Sequence, residues 1–431
     1  MQNLSWQRIE VFLQNSDFNK FLIAISGGVD SSVLLHLCHT LKTHNKKIQF
    51  RAVHINHQLQ QNATIWDKHC EDECKKHDIS FISQKITINT NTKKSPEEQA
   101  RIQRYQAIKN IVKKDEQVLC AHHLNDQVET FFLRLLRGSG SVGLSGIKPR
   151  INIFNMSLAR PFLNISQQQI NDYATTHQIK YIVDDSNADI KFTRNYLRLK
   201  VMPSLDNINT AYLNNINKAI NIIAENNNFI DETLLQKYKN IDFCSDKINS
   251  EVLNLAPNFE KKWVIRYWLS KKICFYPNQK HTEEIITQLI NSNNDNKIEI
   301  KLDDNHSLKT YDNVIYLVQK DDDDVACKKE IVWVFKEGDL KINQNLTLTL
   351  EQLKQQNFDF SKTKNVKISY RQEGQKMQLN YNGSYKKLKK IFQEYKIPPW
   401  MRDGIPLLYL KNELVAIYGV VCRWDYRIQK I

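Results

Sequence analysis

The sequence lacks the long apolar runs that membrane-spanning helices need. Its longest notable run, from Leu414 to Cys422, falls far short of the ~20 residues that cross a bilayer as a helix. The first residues, MQNLSWQRIEVFLQ, also lack the basic patch and apolar stretch of an export signal. The sequence therefore predicts a cytoplasmic protein that does not associate with membranes.

Paired cysteines and an excess of acidic residues are also missing. The 8 cysteines form no Cys-x-x-Cys pair, which argues against a disulfide framework and fits a reducing compartment. Lys and Arg number 61 against 47 Asp and Glu, giving a net charge of +14. This surplus attracts polyanions, so nucleic acid is the leading partner, although a basic balance can also serve solubility alone.

The length of the chain predicts several domains. Its 431 residues exceed the ~250 at which single hydrophobic cores stop growing. Hydrophobic residues make up 41% and charged residues 25%, the balance of a folded protein. We predict a catalytic domain over 1–205, a mainly helical middle domain over 206–335 and a small α+β domain over 336–431.

The first domain is predicted to be α/β with an open, parallel, Rossmann-like sheet, because β-rich and helical runs alternate from residue 18 to about 190. Strands are predicted at Phe21–Ile25, Ile48–Ile55, Ile79–Ile86, Val118–Ala121 and Tyr181–Val183. Helices are predicted near 31–44, 61–77, 96–113, 124–136 and 166–177. Farther along, apolar residues at helical spacing predict a helix within 206–235, and a helical stretch is expected to reach about 295. The last region is expected to hold strands near 331–335, 346–350, 366–370 and 414–421 and a Lys-rich helix at 384–396.

A glycine turn follows the first predicted strand and precedes the first predicted helix. It reads Ser26, Gly27, Gly28, Val29, Asp30, Ser31. Adjacent glycines let backbone amides approach phosphate oxygens, and the helix that follows presents unpaired N–H groups. Because no lysine follows the glycines, the turn is not the nucleotide loop that ends in Gly-Lys-Ser/Thr. We therefore predict a phosphate-binding turn of another kind.

This turn resembles the pyrophosphate loop (PP-loop) of the N-type ATP pyrophosphatases, which split ATP between its α and β phosphates and transfer AMP to an oxygen. The resemblance implies that ATP and Mg²⁺ are the cofactors and that the loop from Ser26 to Ser31 binds ATP. It also implies that Asp30 is both a catalytic residue and the metal ligand.

Further segments resemble the bacterial tRNA(Ile)-lysidine synthase family. They are His54–His57, Glu97–Tyr105 (EEQARIQRY), Ala121–Gly146, Arg160–Pro161, Asp184–Asn187 and Arg194–Arg198. Near the end of the chain, Arg371–Gly374, Lys386–Lys390 and the stretch PPWMRDGIPLL resemble the family's C-terminal domain. The resemblance therefore extends over both ends of the chain.

Two acidic residues lie where a predicted strand gives way to a helix. Asp126 and Glu129 are three residues apart, so they share a helix face that could hold a cationic amine, while Arg198 could meet a phosphate or carboxylate. The family resemblance implies that Asp126 and Arg198 are catalytic. It also implies two sets of binding residues: His54, Asn56 and Arg101 for ATP, and Asp126, Glu129, Asn187 and Arg198 for the substrate.

The resemblance implies a ligase that forms a carbon–nitrogen bond. Its partners would be free L-lysine and the isoleucine tRNA with a CAU anticodon, held in part by the middle and C-terminal domains. Basic residues expected near the RNA are Lys386, Lys387, Lys389, Lys390, Lys396 and Arg402. Two alternatives stay open, a tRNA 2-thiolase and a non-catalytic RNA-binding protein, although Cys70 and Cys74 look like packing thiols. The oligomeric state is also open, a homodimer included.

Overall fold

The computed structural model describes residues 4–56, 63–86, 96–184, 189–273, 275–290, 298–320, 330–342 and 346–428. The chain divides into two compact units, Met1–Lys237 and Tyr238–Ile431. The three-domain division over 1–205, 206–335 and 336–431 stays a prediction. None of the helices within the described ranges is both long and apolar enough to cross a membrane.

The first unit contains a six-stranded sheet with the strand order β3-β2-β1-β4-β6-β5. Only β5 runs antiparallel to its neighbour, and the other strands are parallel. The strands are β1 (Lys20–Ile25), β2 (Gln49–Asn56), β3 (Ser80–Lys85), β4 (Glu116–Leu119), β5 (Arg150–Ile153) and β6 (Met156–Ala159). The predicted α/β fold with an open parallel sheet is confirmed.

Ten helices of the described residues belong to the first unit, and they include those predicted near 31–44, 61–77, 96–113, 124–136 and 166–177. They are α1 (Trp6–Gln14), α2 (Val29–His44), α3 (Ala63–Lys76), α4 (Pro96–Ile111), α5 (Leu124–Leu136), α6 (Ser141–Leu144), α7 (Gln167–Thr176), α8 (Thr193–Tyr196), α9 (Met202–Ile208) and α10 (Tyr212–Lys237). A π-helical turn, Leu197–Val201, joins α8 to α9.

The sheet is buried on both faces because helices cover each of them. Successive side chains of a strand point to opposite faces, so β1 contributes to two cores. Phe21 and Ile23 pack with α2 on one face. Leu22 packs with Val118 of β4 and Ile108 of α4 on the other face. This packing fixes the carboxyl ends of β1 and β4 side by side.

The strand predicted at Tyr181–Val183 is wrong. These residues form no ladder, and the side chains of Tyr181 and Val183 are 45% and 74% exposed. Instead of pairing as a strand, this segment makes one backbone hydrogen bond to the glycine turn, in which the Ile182 N–H donates to the carbonyl of Gly27 at 2.8 Å. The prediction also missed the β5–β6 hairpin, whose turn residues Phe154 and Asn155 have φ values of 50° and 60°. Positive φ at both positions matches the right-handed twist of the two strands.

The second unit contains a four-stranded sheet, β7-β10-β9-β8, and a five-stranded sheet, β11-β14-β17-β18-β19. Its strands are β7 (Lys247–Asn249), β8 (Glu299–Lys301), β9 (His306–Tyr311), β10 (Val314–Gln319), β11 (Ile331–Val334), β12 (Leu340–Lys341), β13 (Thr347–Leu348), β14 (Asn365–Ser369), β15 (Lys376–Met377), β16 (Lys386–Lys387), β17 (Leu407–Leu410), β18 (Glu413–Ile417) and β19 (Val421–Cys422). Its α-helices are α11 (Asn258–Ile273), α12 (Gln279–Ile285), α13 (Leu350–Gln355) and α14 (Leu388–Glu394).

The antiparallel four-stranded sheet was not predicted, because its strands are short and their composition does not alternate clearly. The single strand predicted at 414–421 is in fact two strands, β18 and β19, which pair with each other. The Lys-rich helix predicted at 384–396 is shorter, since it begins at Leu388 after strand β16. The strands predicted near 331–335 and 366–370 are present as β11 and β14.

Candidate active site

The glycine turn lies at the carboxyl end of β1, and α2 begins inside it at Val29. Gly27 has a φ of +84°, which L side chains rarely adopt. A Cβ at this position would lie 3.3 Å from Cys70 Sγ and 3.5 Å from Ile182 Cδ1. The backbone angle therefore favours glycine here, and the close approach of Cys70 adds to this preference.

Two serine hydroxyls brace the turn. Ser31 Oγ donates to the Gly28 carbonyl at 3.0 Å and accepts a bond from the Ser26 N–H at 3.1 Å. The hydroxyl oxygens of Ser26 and Ser31 lie 3.1 Å apart. The hydroxyl of the buried Ser31 thus holds the shape of the loop, while the first N–H groups of α2 face the space beyond it.

Asp30, in the first turn of α2, connects the loop to the rest of the site. Its carboxylate accepts a hydrogen bond from Gln167 Nε2 at 2.7 Å and lies 3.8 Å from His123 Nε2. Burial raises the pKa of Asp30 above its usual range, although His123 and Gln167 act in the opposite direction. An Asp in this setting gains from a nearby cation, because a cation favours the ionised carboxylate.

A cluster of two carboxylates and two guanidinium groups lies next to Asp30. Glu129 is fully buried and accepts from Arg194 Nε at 2.6 Å and from Arg198 Nε at 2.7 Å. Arg194 Nη2 donates to Asp126 Oδ1 at 2.7 Å, and Arg198 Nη2 lies 3.7 Å from the same oxygen. We call Asp126, Glu129, Arg194 and Arg198 the charge cluster.

The charge cluster sets the ionisation of its members. Burial alone would raise the pKa of Asp126, but His123 and Arg194 lower it to about 2. For Arg198, burial acts in the other direction and would lower the pKa, but hydrogen bonding to Glu129 raises it above its usual value. The His123 ring, whose Nε2 is 3.6 Å from Asp126 Oδ2, joins the cluster to Asp30. The loop and the cluster therefore form one site.

The spacing of the two arginines lets both reach one carboxylate, since residues four apart share a helix face. Arg194 and Arg198 are four residues apart, and the helix widens over Leu197–Val201, which contains Arg198. Leu197 and Met202 are buried on the inner side of the same helix. Single π-turns within α-helices occur frequently at functional sites.

The predicted ATP-binding residues outside the loop have partners within the fold, and their role in ATP binding stays a prediction. His54 and Asn56, at the end of β2, are buried, and both contact Asp67 of α3. His54 Nδ1 also lies 2.9 Å from the carbonyl oxygen of Ile25. Arg101 is exposed on α4, with its guanidinium 5.9 Å from the ring centre of Tyr105. Asn187 lies outside the described residues.

Several residues of the site were not assigned from the sequence. Arg194, His123 and Gln167 all contact predicted site residues, and Asn125 Oδ1 accepts from the Gln167 N–H at 3.0 Å. The spacing of Arg194 and Arg198 could have revealed Arg194, since residues four apart share a helix face. No local pattern indicates that Gln167 lies beside Asp30.

Two arginines form hydrogen bonds inside the fold, namely Arg134 and Arg402, the second of which was expected near the RNA. Arg134 donates to the carbonyls of Gly143 and Gly146 at 2.7 and 2.8 Å. Arg402 is buried and donates to the Ile397 carbonyl and the Tyr311 hydroxyl at 2.9 and 3.1 Å. Their guanidinium groups stabilise the two units rather than adding to the exposed charge.

The position of the site within the sheet fits a nucleotide-dependent enzyme. The sheet order reverses at β1, which is flanked by β2 on one side and β4 on the other. In open α/β sheets, ligands bind at this switch point, outside the carboxyl ends of the strands. The loop follows β1, and the segment that carries His123 and Asp126 follows β4.

Comparisons with known proteins agree with this geometry. Residues 1–205 match the family described as PP-loop domain, and residues 366–430 match the TilS substrate C-terminal domain. The chain is 33% identical to the tRNA(Ile)-lysidine synthase of Buchnera aphidicola subsp. Baizongia pistaciae, over 95% of this chain and 93% of that protein. It is 31% identical to that of Legionella pneumophila (strain Paris), over 93% and 91%.

Among solved structures, the chain resembles a U34-tRNA thiolase from Methanococcus maripaludis with a TM-score of 0.44 and 14% identity, covering 51% of this chain and 77% of that one. The curated relatives, in contrast, match almost the whole chain. The chain belongs to the tRNA(Ile)-lysidine synthase family, and its PP-loop domain is the part that uses ATP.

Proposed function

We propose that the chain joins free L-lysine to C2 of the wobble cytidine in the isoleucine tRNA with a CAU anticodon. The product, lysidine, changes codon reading from AUG to AUA. One observation carries the proposal: the phosphate-binding loop and the charge cluster share one sheet edge and are joined through His123. Two steps of a ligase, activation by ATP and attack by an amine, can therefore proceed in one place.

The loop is proposed to hold the phosphates of ATP. Backbone N–H groups beside Gly27 and Gly28 and the positive end of α2 suit the pyrophosphate that leaves. Asp30 would hold Mg²⁺, which prefers carboxylate oxygens and, when bound, offsets the negative charge of the leaving group. The partly buried carboxylate of Asp30 fits this role, because burial raises its pKa and a bound cation would favour its ionised form.

The charge cluster is proposed to bind lysine as an amino acid. Asp126, whose side chain is 13% exposed, offers a carboxylate for an amine, and Arg198, whose side chain is 37% exposed, offers a guanidinium for a carboxylate. Glu129 is fully buried and would act by holding both arginines in place. Because Arg194 and Arg198 already lie beside both acids, a lysine amine placed here meets positive charge as well as negative. Nearby positive charge favours the neutral amine, which is the nucleophilic form.

The proposed reaction balances in two steps. The C2 carbonyl oxygen of cytosine attacks the α-phosphorus of ATP, and the bond to the β-phosphate oxygen breaks to release pyrophosphate. The neutral ε-amine of lysine then attacks C2, and AMP leaves with the former carbonyl oxygen. The amine gives up a proton in this step. The protein contributes mainly by positioning the two substrates and by fixed charges.

Two buried thiols do not favour the competing sulfur transfer. Cys70 and Cys74 are 0% exposed, and burial raises the pKa of each thiol to about 12. A sulfur relay needs a thiolate that solvent and substrate can reach. These two cysteines instead pack in the core beneath the loop, where Cys70 approaches Gly27.

The proposal is tested by incubating the full chain with radiolabelled lysine, ATP and unmodified isoleucine tRNA with a CAU anticodon. Label should enter the RNA only when ATP and this tRNA are both present, and a tRNA with a changed wobble base should receive none. A non-catalytic RNA-binding protein would bind the tRNA but leave it unlabelled. Labelling by a sulfur donor in place of lysine would identify a thiolase.

A further inference from the structure

Three large apolar side chains are exposed on the outer side of the helix that carries the charge cluster arginines. Phe192 is 54% exposed, Tyr196 is 50% exposed and Leu199 is 42% exposed. Tyr196 and Leu199 are three residues apart on the helical segment, and Phe192 directly precedes it as the N-cap of α8, with an extended backbone. We call these three residues the outer face. Exposed apolar patches of this kind commonly mark interaction sites.

The outer face is held rigidly next to the active site. On the inner side of the same helix, Arg194 and Arg198 bond to Glu129, and Leu197 is buried. These contacts fix the helix against α5, which begins at the carboxyl end of β4. An interaction surface fixed in this way would place its partner a short distance from the loop and the charge cluster.

The charge around the outer face identifies the kind of partner. Lys191 and Lys200, which border it on either side in sequence, are both exposed. Aromatic rings flanked by basic side chains are the usual surface for unpaired nucleobases, which stack on the rings while the cations meet the phosphates. A protein partner fits less well, because lysine is depleted in protein–protein interfaces and two copies with a net charge of +14 repel each other.

We propose that the outer face binds unpaired bases of the tRNA anticodon loop next to the base that reacts. Stacking on Tyr196 and Phe192 would hold the loop open while the target cytidine enters the site. This inference rests on the proposed function and adds to it the surface that positions the RNA. Tyr196 and Phe192 are positioning residues, since neither contacts the proposed reacting atoms.

Steady-state lysine incorporation tests the proposal in the full chain. Tyr196→Ala and Phe192→Ala should each raise the KM for tRNA roughly tenfold, the usual scale for the loss of one base–aromatic stack. The KM for lysine should change little. Tyr196→Phe, which keeps the ring, should restore most of the affinity for tRNA. Val11→Ala is the control, since Val11 is 62% exposed on α1 of the same unit and lies outside both the outer face and the domains predicted to hold the tRNA.

A second readout does not depend on turnover. A tRNA with 2-aminopurine beside the wobble position should lose fluorescence on binding the wild-type protein, because the base stacks, and should lose much less on binding Tyr196→Ala. Unchanged tRNA KM and unchanged quenching in Tyr196→Ala would overturn the inference. A dimer in sedimentation experiments that Tyr196→Ala dissociates would overturn it too, because a second copy would then cover this face.

The two measurements also separate this inference from the proposed function. If the wild-type protein incorporates no lysine but the 2-aminopurine signal depends on Tyr196, the surface binds RNA and the proposed reaction is wrong. If lysine is incorporated and the outer-face variants behave like Val11→Ala, the reaction is right and the outer face does not hold the tRNA.

Discussion

Replacing Glu129 by glutamine should destabilise the first unit and stop lysine incorporation. Glu129 is fully buried, and it accepts hydrogen bonds from Arg194 Nε, Arg198 Nε and Arg198 Nη2 at 2.6, 2.7 and 3.1 Å. Glutamine has nearly the same shape, but it carries no charge and offers one acceptor oxygen in place of two. The two guanidinium groups would then share Asp126 as their remaining carboxylate in the cluster.

The size of the effect follows from the burial of these groups. A hydrogen bond to a charged group contributes about 1.5–3 kcal/mol, and both guanidinium groups lose Glu129 as an ionic partner. The arginine side chains are 31% and 37% exposed, so water recovers part of this loss. We expect the free energy of unfolding of the first unit to fall by about 2–4 kcal/mol. Its Tm should fall by roughly 5–15 °C, at about 2–4 °C per kcal/mol for a unit of this size.

Differential scanning calorimetry of Glu129→Gln measures this loss, with Asp78→Asn as the matched control. Asp78 also pairs with a cation, Lys42 at 2.9 Å, but its side chain is 94% exposed. The control removes the same charge from the same unit, and it should leave both the Tm and lysine incorporation close to the wild-type values. If Glu129→Gln has the same Tm as Asp78→Asn and still incorporates lysine, the charge cluster neither stabilises the first unit nor takes part in lysine incorporation.

Two further predictions concern the loop and the histidines of the first unit. Gly27→Ala should weaken ATP binding, measured by calorimetry, at least tenfold, a loss of about 1.4 kcal/mol. The reason is that the φ of Gly27 is +84° and an added Cβ would crowd Cys70. Gly374→Ala is the control: its φ is +83°, no atom lies within 4 Å of the added Cβ, and ATP binding should stay unchanged. Burial, aided by neighbouring histidines, lowers the pKa of His36 and His77 from 6.5 to about 4, so the folded state keeps them neutral where the unfolded chain binds protons. These groups should therefore not affect the free energy of unfolding above pH 6.5, and they should lower it between pH 6.5 and 4 by on the order of 2 kcal/mol each. Urea unfolding at several pH values should show a smaller fall in His77→Gln than in the wild-type protein. An equal fall in that variant would contradict the lowered pKa of His77.

The loop and the acidic pair could be predicted from the sequence because their signals are local. The strand, glycine turn and helix around Gly27 occupy one continuous stretch, and Asp126 and Glu129 follow a predicted strand end. The carboxyl ends of parallel strands meet at one edge, so the two segments were expected to lie close together. The structure brings them together through His123.

The contacts between distant segments could not be predicted in the same way. Gln167 bonds to Asp30 across 137 residues, and Arg194 bonds to Asp126 across 68 residues. Hydrophobic periodicity predicts which face of an element is buried but not which polar group it meets. The contacts of His54 could not be predicted either: its ring contacts the carbonyl of Ile25, directly before the loop, and Asp67 of α3.

The most direct test of the account is to follow the α-phosphate of ATP during lysine incorporation. With ATP labelled at the α-phosphorus, each lysine that enters the tRNA should be accompanied by one labelled AMP and one pyrophosphate, and Asp30→Ala should abolish all three while leaving tRNA binding nearly intact. Release of labelled ADP with inorganic phosphate, or unchanged turnover in Asp30→Ala, would contradict the claim that the loop after β1 holds a departing pyrophosphate.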